Sequence, residues 1–319
     1  MINAHTLGWA EDVLNALDLD VNKLSNLVKP GSVVGRVSHA AAERSGLAEG
    51  TLLVTGTGDQ QSAAIGGGVI DQGRASLTHG TAGLLVVGTR ELELSKSRGL
   101  MATLSGKLGL YELEGIQLGA ASCYRWIRNT FYSDQVWEEN KPSREINLYK
   151  KMDALAMRST PGANGVVFLP FLSGAGYPHW DPMAGGMFAG LRCSHTPGDM
   201  MRAVVEGVAL ESFDMYQKMK EANVVISSLA VTGGAMVSPL WRQTIADIFE
   251  MEIHPLKVPN ATLVGASIFA GIGAEVFKDV SEGVALTVHF AEPVQPIEAN
   301  REVYRKRYET YKHLCASIM

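Results

Sequence analysis

The sequence predicts an α/β layered fold, and three observations carry the prediction. Apolar, strand-like runs alternate with amphipathic helical runs through the second half of the chain. Glycine-bearing turns at Gly56–Gly58, Gly80–Gly83 and Gly233–Gly234 follow or join those strand-like runs. The composition, 46% apolar and 19% charged over 319 residues, suits a well-cored protein of one large domain or two.

The N-terminal stretch is helical and loop-like. Trp9, Val13, Leu14, Leu17 and Leu19 form an apolar stripe on a helix ending near Asp20. Lys29-Pro30-Gly31 is a turn, followed by a short apolar run from Ser32. Ser38 to Ser45 reads as a short helix stopped near Gly46. Residues 51–56 have the composition of a buried strand, and Gly56 and Gly58 permit a tight turn that delivers Asp59 to a helix start. Gln60 to Gly68 is small and helix-compatible.

Arg74–Thr78 and Leu84–Thr89 read as strands around a hairpin-type loop at Gly80–Gly83. Leu100–Leu104 and Leu108–Leu113 suggest another pair. Glu114 to Phe131 is read as holding a helix with Trp126 and Ile127 on its apolar face. Asp134 to Arg144 is a polar connection, and Ile146 to Met157 an amphipathic helix. Val166–Leu172 is a buried strand, and Ser173 to Gly190 a structured loop rich in Gly and Pro. Thr196 caps a long helix to about Ala222, with Pro197 in its first position. A strand at Val224–Val231, a helix at Leu240–Phe249, a strand at Glu252–Pro255 and a helix at Thr262–Phe277 follow. A charged helix from Glu298 to about Leu314 ends the chain.

The bulk numbers narrow the function. A net charge of −5 argues against nucleic-acid binding through a basic face. Three widely spaced cysteines, Cys123, Cys193 and Cys315, form no zinc or redox pattern, so a reducing cytoplasm is the expected setting. No run approaches roughly 18 uninterrupted apolar residues, and the first residues lack signal-peptide character, so no membrane association is expected.

Asp59 invites two readings. Alone, it suits a helix cap or a partner of the helix dipole. It also suits a general base that takes a hydroxyl proton during phosphoryl transfer, a reaction that needs positioning and charge stabilisation above all. The Gly80-Thr81-Ala82-Gly83 turn is a plain hairpin turn or a cradle of N–H groups and a hydroxyl for a γ-phosphate. Gly233-Gly234 is a simple strand-to-helix loop or a place of close ligand approach, with Ser238 able to hydrogen-bond. No GxxxxGK[ST] run and no dinucleotide fingerprint occurs, which removes P-loop enzymes and discounts a dehydrogenase. His79 reads as structural, and His179 and Asp181 as loop-stabilising or site-lining.

Jointly these segments resemble the FGGY family of carbohydrate kinases, of the actin-like ATPase superfamily. Gly186-Met-Phe188-Ala-Gly190-Leu191, seven residues, then Asp199-Met200-Met-Arg-Ala203-Val-Val-Glu206 is similar to the family's C-terminal signature. Gly56-Thr-Gly-Asp59-Gln-Gln resembles its catalytic-aspartate segment, His79-Gly-Thr81-Ala-Gly83 its second phosphate motif, and Thr232-Gly-Gly234-Ala-Met-Val-Ser238 its adenosine motif. Val264-Gly-Ala-Ser267 resembles the small-residue helix that follows. Order and spacing agree over about residues 50–280.

The resemblance implies an actin-like ATPase (ribonuclease H-like) domain over residues 68–319, with residues 1–67 the tail of a second such domain. It implies Asp59 as the base and Gln60 as a sugar contact. It implies Gly80 and Thr81 at the γ-phosphate of ATP, with Mg²⁺ brought by ATP to offset the phosphate charge and no direct protein ligand for it, unless Asp59 is one. Gly233, Gly234 and Ser238 would bound the adenosine, and Gly119-Ala-Ala-Ser-Cys123 would be a helix start facing the phosphates. Asp59-Gln-Gln is nearer to glycerol kinase usage, whereas Ala120–Cys123 and Ser238–Gln243 look more like xylulokinase. The expected substrate is a pentulose or hexulose, with glycerol or gluconate behind it. Family members carry a complete N-terminal domain before the aspartate segment, whereas only about 60 residues precede Asp59 here. A half-built sugar site, weak or absent turnover by this chain alone and self-association through uncovered surface are therefore expected. A non-catalytic nucleotide-binding or interaction module is the rival from another class.

Overall fold

A computed structural model describes residues 2–92, 99–139 and 147–319. In chain order the elements are α1 (Glu11–Ala16), β1 (Val33–Arg36), α2 (His39–Ser45), β2 (Leu52–Val54), α3 (Asp59–Gly66), β3 (Arg74–His79) and β4 (Gly83–Thr89). Then come β5 (Met101–Leu104), β6 (Tyr111–Gln117), α4 (Ala121–Phe131), α5 (Ser133–Glu139), α6 (Leu148–Ala156), β7 (Val167–Leu169), β8 (Met187–Ala189) and α7 (Pro197–Glu221). The series closes with β9 (Ser228–Thr232), α8 (Pro239–Phe249), β10 (Ile253–Pro255), α9 (Ala261–Gly273), α10 (Val280–Thr287) and α11 (Arg301–Ile318).

Six strands form the central sheet in the order β10-β9-β3-β4-β6-β5. β10, β9 and β3 run parallel, while β4, β6 and β5 continue antiparallel. Strand alternation decides the layers. Leu85 and Val87 of β4 join the large core with α4, α7 and α8. Leu84 and Val86 of the same strand face α3 through Ala64. A further cluster, Ile65, Ile268, Phe269 and Val284, joins α3 to α9 and α10 on that side. Burying each such Leu, Ile or Val contributes about 1.5–3 kcal/mol, so a one-residue slip of β4 would forfeit both cores.

α3 and α9 cross closely because small residues meet there. A β-carbon on Gly265 would overlap the Ser62 carbonyl, and one on Gly66 would overlap the Ala261 carbonyl. The Val264-Gly-Ala-Ser267 segment thus clamps the helix that begins with Asp59.

The signature between residues 186 and 206 has a structural job. Thr196 and Asp199 form a capping box at the start of α7. The Asp199 carboxylate also accepts from Ser159 Oγ (2.5 Å) and Asn164 Nδ2 (2.7 Å). Glu206 accepts from Arg202 Nε (2.8 Å), Gly162 N (2.9 Å) and the Tyr304 hydroxyl (3.0 Å). These buried groups tie α7 to the 159–165 turn and to α11, and each finds the partners burial demands.

The structure departs from the sequence reading in several places. β2 is not buried: among the described residues it pairs only with β1, and Leu53 is 47% exposed. α1 stops at Ala16, and of its stripe Leu14 alone is buried while Val13, Leu17 and Leu19 face outward. Glu114–Gln117 is strand, not helix, and α4 starts at Ala121 with Ile127 buried but Trp126 39% exposed. β9 begins at Ser228, later than Val224. Part of the expected 134–144 connection lies outside the described residues. Among the described residues no helix is long and apolar enough to cross a membrane.

Candidate functional site

The 80–82 turn closes the β3–β4 hairpin, with His79 paired to Gly83 and the Gly80 amide donating to Ala82 O (3.0 Å). Neither glycine needs a positive φ here. Gly83 is required by packing, because a β-carbon there would lie 2.5 Å from Gln117 Oε1. Gly80 leaves open space, its nearest neighbour to such an atom being Ala82 O at 3.8 Å.

α4 starts on this turn. Ala121 N donates to Gly80 O (2.9 Å), Ala120 N to Thr81 O (3.0 Å) and Ser122 Oγ to Thr81 O (2.7 Å). Two amides at the head of α4 and the amide of Gly80 are therefore spent within the protein. The exposed Thr81 is what the turn presents outward. Gly119 is buried, and a β-carbon on it would meet Pro170 O at 2.8 Å. Its small size lets α4 begin where it does.

The 233–238 turn reaches the same place from β9. Gly233 has φ +96°, and a β-carbon there would overlap the backbone of His79. Only glycine allows both that conformation and that approach. Gly234 has nothing within 4 Å of where its β-carbon would be, which leaves open space over it. Ser238 Oγ is buried without a hydrogen-bond partner among the described residues.

His79 locks the turn from beneath. Its ring is wholly buried, Nε2 lies 2.8 Å from Ser212 Oγ, and Trp241 packs edge-on at 5.8 Å. Burial lowers its pKa to about 3, so the ring is neutral. Ser212 Oγ lies 2.9 Å from Gln117 Oε1, and Gln117 Nε2 donates to Val208 O (3.1 Å). A buried chain of hydrogen bonds thus runs from the 80–82 turn into α7.

These parts wall a cavity of ≈ 560 Å³. Thr81, Ser122, Tyr124, Asp153, Gly234 and Ser238 are on its surface. Tyr124 and Asp153, from α4 and α6, have no signal in the sequence, since only the fold brings α6 to the turns. Ser122 could have been found as the hydroxyl of the Gly119–Cys123 helix start.

Asp59 and Gln60 lie elsewhere, at the head of α3. Gly58 is the N-cap, so Asp59 is the first helical residue and is not the cap. Its Oδ1 accepts from Gln60 N (2.9 Å), and the residue is exposed. Behind it Gln61 Nε2 donates to Glu114 Oε1 and Thr103 Oγ1, each at 3.1 Å. Burial raises the Glu114 pKa, the Thr103 and Gln61 hydrogen bonds oppose it, and the charge of Asp59 adds to it. Glu114 and Gln117 are on one strand, and three extended residues span on the order of 10 Å. That strand links the Asp59 region to the cavity.

Two family models match this chain in sequence order. The C-terminal domain of the FGGY family of carbohydrate kinases matches residues 75–274, and its N-terminal domain matches residues 1–66. The chain belongs to the FGGY family of carbohydrate kinases. It is 30% identical over 312 residues to a xylulose kinase of Staphylococcus epidermidis, covering 98% of this chain and 60% of that protein. It is 31% identical over 290 residues to a glycerol kinase of Ralstonia pickettii, covering 88% and 53%. The crystal structure of a xylulose kinase from Rhodospirillum rubrum superposes with a TM-score of 0.80 at 26% identity, over 96% of this chain and 59% of that one. The chain thus spans about 60% of the xylulose kinase lengths it matches. The FGGY fold explains the mixed sheet with helices on both faces, the actin-like ATPase arrangement expected from sequence.

Proposed function

We propose that the ≈ 560 Å³ cavity seats the nucleotide of an ATP-dependent phosphoryl transfer to a sugar or polyol hydroxyl. The observation that carries this reading is the convergence of the 80–82 turn, the head of α4 and the 233–238 turn on one cavity. The residues suit the ligand. An open Gly234 and an unpartnered buried Ser238 hydroxyl suit a nucleoside, and Thr81 offers a hydroxyl to phosphate.

In this reading Gly80 and Thr81 seat the γ-phosphate, Gly80 by leaving room and Thr81 by its hydroxyl, and Gly233, Gly234 and Ser238 bound the adenosine. Gly119 serves by letting α4 start at the turn. Asp59 is the general base, and Gln60 contacts the sugar. Mg²⁺ accompanies the phosphates and offsets their charge. The Asp59 carboxylate and the Thr81 hydroxyl are hard oxygen donors of the kind it takes. Residues 1–67 belong with the N-terminal domain and 68–319 with the nucleotide-binding one. A pentulose or hexulose such as xylulose is the favoured acceptor, with glycerol and gluconate next. The free Cys123, Cys193 and Cys315 suit a reducing cytoplasm.

The test is twofold. Mg·ADP is titrated into the 319-residue chain and its Asp59→Asn variant, and ADP release from Mg·ATP is followed with xylulose, gluconate and glycerol. Equal ADP affinity in both proteins, with any sugar-dependent turnover falling at least ~10²-fold in the variant, is expected. Failure of ADP to bind at millimolar concentration, with no acceptor eliciting turnover, would reject the reading.

A further inference from the structure

One group on the cavity wall does not fit a site made for phosphates. Asp153 of α6 places a half-buried carboxylate on it. A carboxylate repels a polyphosphate, so Asp153 suits the uncharged base better than the phosphates.

The Asp153 carboxylate is an acceptor with spare capacity. Oδ1 accepts from the Tyr124 hydroxyl at 3.0 Å. Among the described residues no hydrogen bond engages Oδ2. Burial raises the Asp153 pKa, against the pull of the Ser238 and Tyr124 hydroxyls. The Ser238 hydroxyl lies beside the carboxylate without reaching hydrogen-bond geometry, and it is buried with no hydrogen-bond partner among the described residues. Tyr124 is itself held, by an edge contact to Trp241 at 5.7 Å and by stacking on Tyr149 at 6.2 Å. The carboxylate is therefore a fixed acceptor, with an unsatisfied hydroxyl next to it.

Resting on the nucleotide-site reading above, we propose that Asp153 selects the base, accepting a hydrogen bond from an exocyclic amino group of the kind adenine carries at position 6. Ser238 supplies a donor to the neighbouring ring nitrogen. A base with a carbonyl at position 6 would set oxygen against the carboxylate and leave the carboxylate without a donor. A site built around a ligand N–H discriminates strongly against the analogue lacking it.

Mg·ADP and Mg·IDP, which differ at that position, separate the outcomes by calorimetric titration of the full chain. The wild-type protein is expected to bind ADP at least ~10-fold more tightly. Asp153→Asn keeps an oxygen for Tyr124 but turns an N–H₂ group toward the base. Its preference should shrink to parity or invert, a change that a merely structural role would not produce. A wild-type ratio near one, or an unchanged ratio in D153N, overturns the proposal while leaving the nucleotide site standing. Failure of both nucleotides to bind the wild-type chain rejects the site and the proposal together. Should D153N not fold, as judged by its melting curve, the wild-type ratio alone decides.

Discussion

His79 Nε2 lies 2.8 Å from Ser212 Oγ, far apart in sequence and both out of contact with water. The pair joins the hairpin turn to the long α7 helix, and burial keeps the imidazole neutral.

Acid should therefore loosen the turn. The folded-state pKa of His79 is lowered from 6.5 to about 3. The unfolded chain thus binds the extra proton below pH 6.5 while the folded chain does not. Stability falls as pH drops from about 6.5 toward 3, by roughly 1 kcal/mol per pH unit from this group. Thermal melts of wild type and His79→Leu over that range should show a shallower acid slope in the variant.

Glu112 should act at the other end of the scale. Burial pushes its carboxyl up to about 8, with Ser105 pulling down and Glu114 adding to the rise. Among the described residues neither of its oxygens has a partner of hydrogen-bond geometry. The folded state holds a proton that the unfolded state loses near 4.5, so stability declines as pH rises from about 4.5 through 8. Glu112→Gln should be the more stable protein at pH 8.5, by about 1–3 kcal/mol, in denaturant titrations.

Gly233→Ala should damage the site through the backbone, by forcing the 233–238 turn away from His79. The added methyl meets the His79 backbone in a conformation L-residues avoid. A cost of about 2 kcal/mol or more and a loss of Mg·ADP binding are expected, and melting and calorimetry would measure them.

Asp199→Ala should do the reverse. Burial raises this carboxyl, but hydrogen bonds from Ser159, Thr196 and Asn164 outweigh it and hold the pKa at about 2. The lowered value means stability present above about pH 4 and lost as pH falls toward 2. The variant should lose about 2–3 kcal/mol at neutral pH, yet the folded fraction should bind Mg·ADP as wild type does.

Much of this was legible in the residues. Thr196, Pro197 and Asp199 spell the start of α7, and local capping chemistry decided it. The glycine turns were found because strand-to-turn transitions leave a local mark. β2 was misjudged because Leu52, Leu53 and Val54 are apolar in composition, while their exposure depends on what covers a two-stranded ribbon. Glu114 to Gln117 was misplaced because the Leu-Glu-Gly-Ile-Gln run has no clear period. Asp153 and Tyr124 could not be foreseen, since only tertiary packing sets α6 beside the turns. The signature drew notice as a motif, but its work in holding α7 to the 159–165 turn and α11 shows only in the hydrogen bonds.

The close crossing of α3 and α9 also bears on how this protein can be rebuilt. Residues 59–66 and 261–273 are a single part supplied by two distant stretches of chain. A chimera that takes one stretch from a relative must take the other with it, or keep glycine at both 66 and 265. A graft that ignores this would swing Asp59 off its mark while leaving every residue around the carboxylate unchanged.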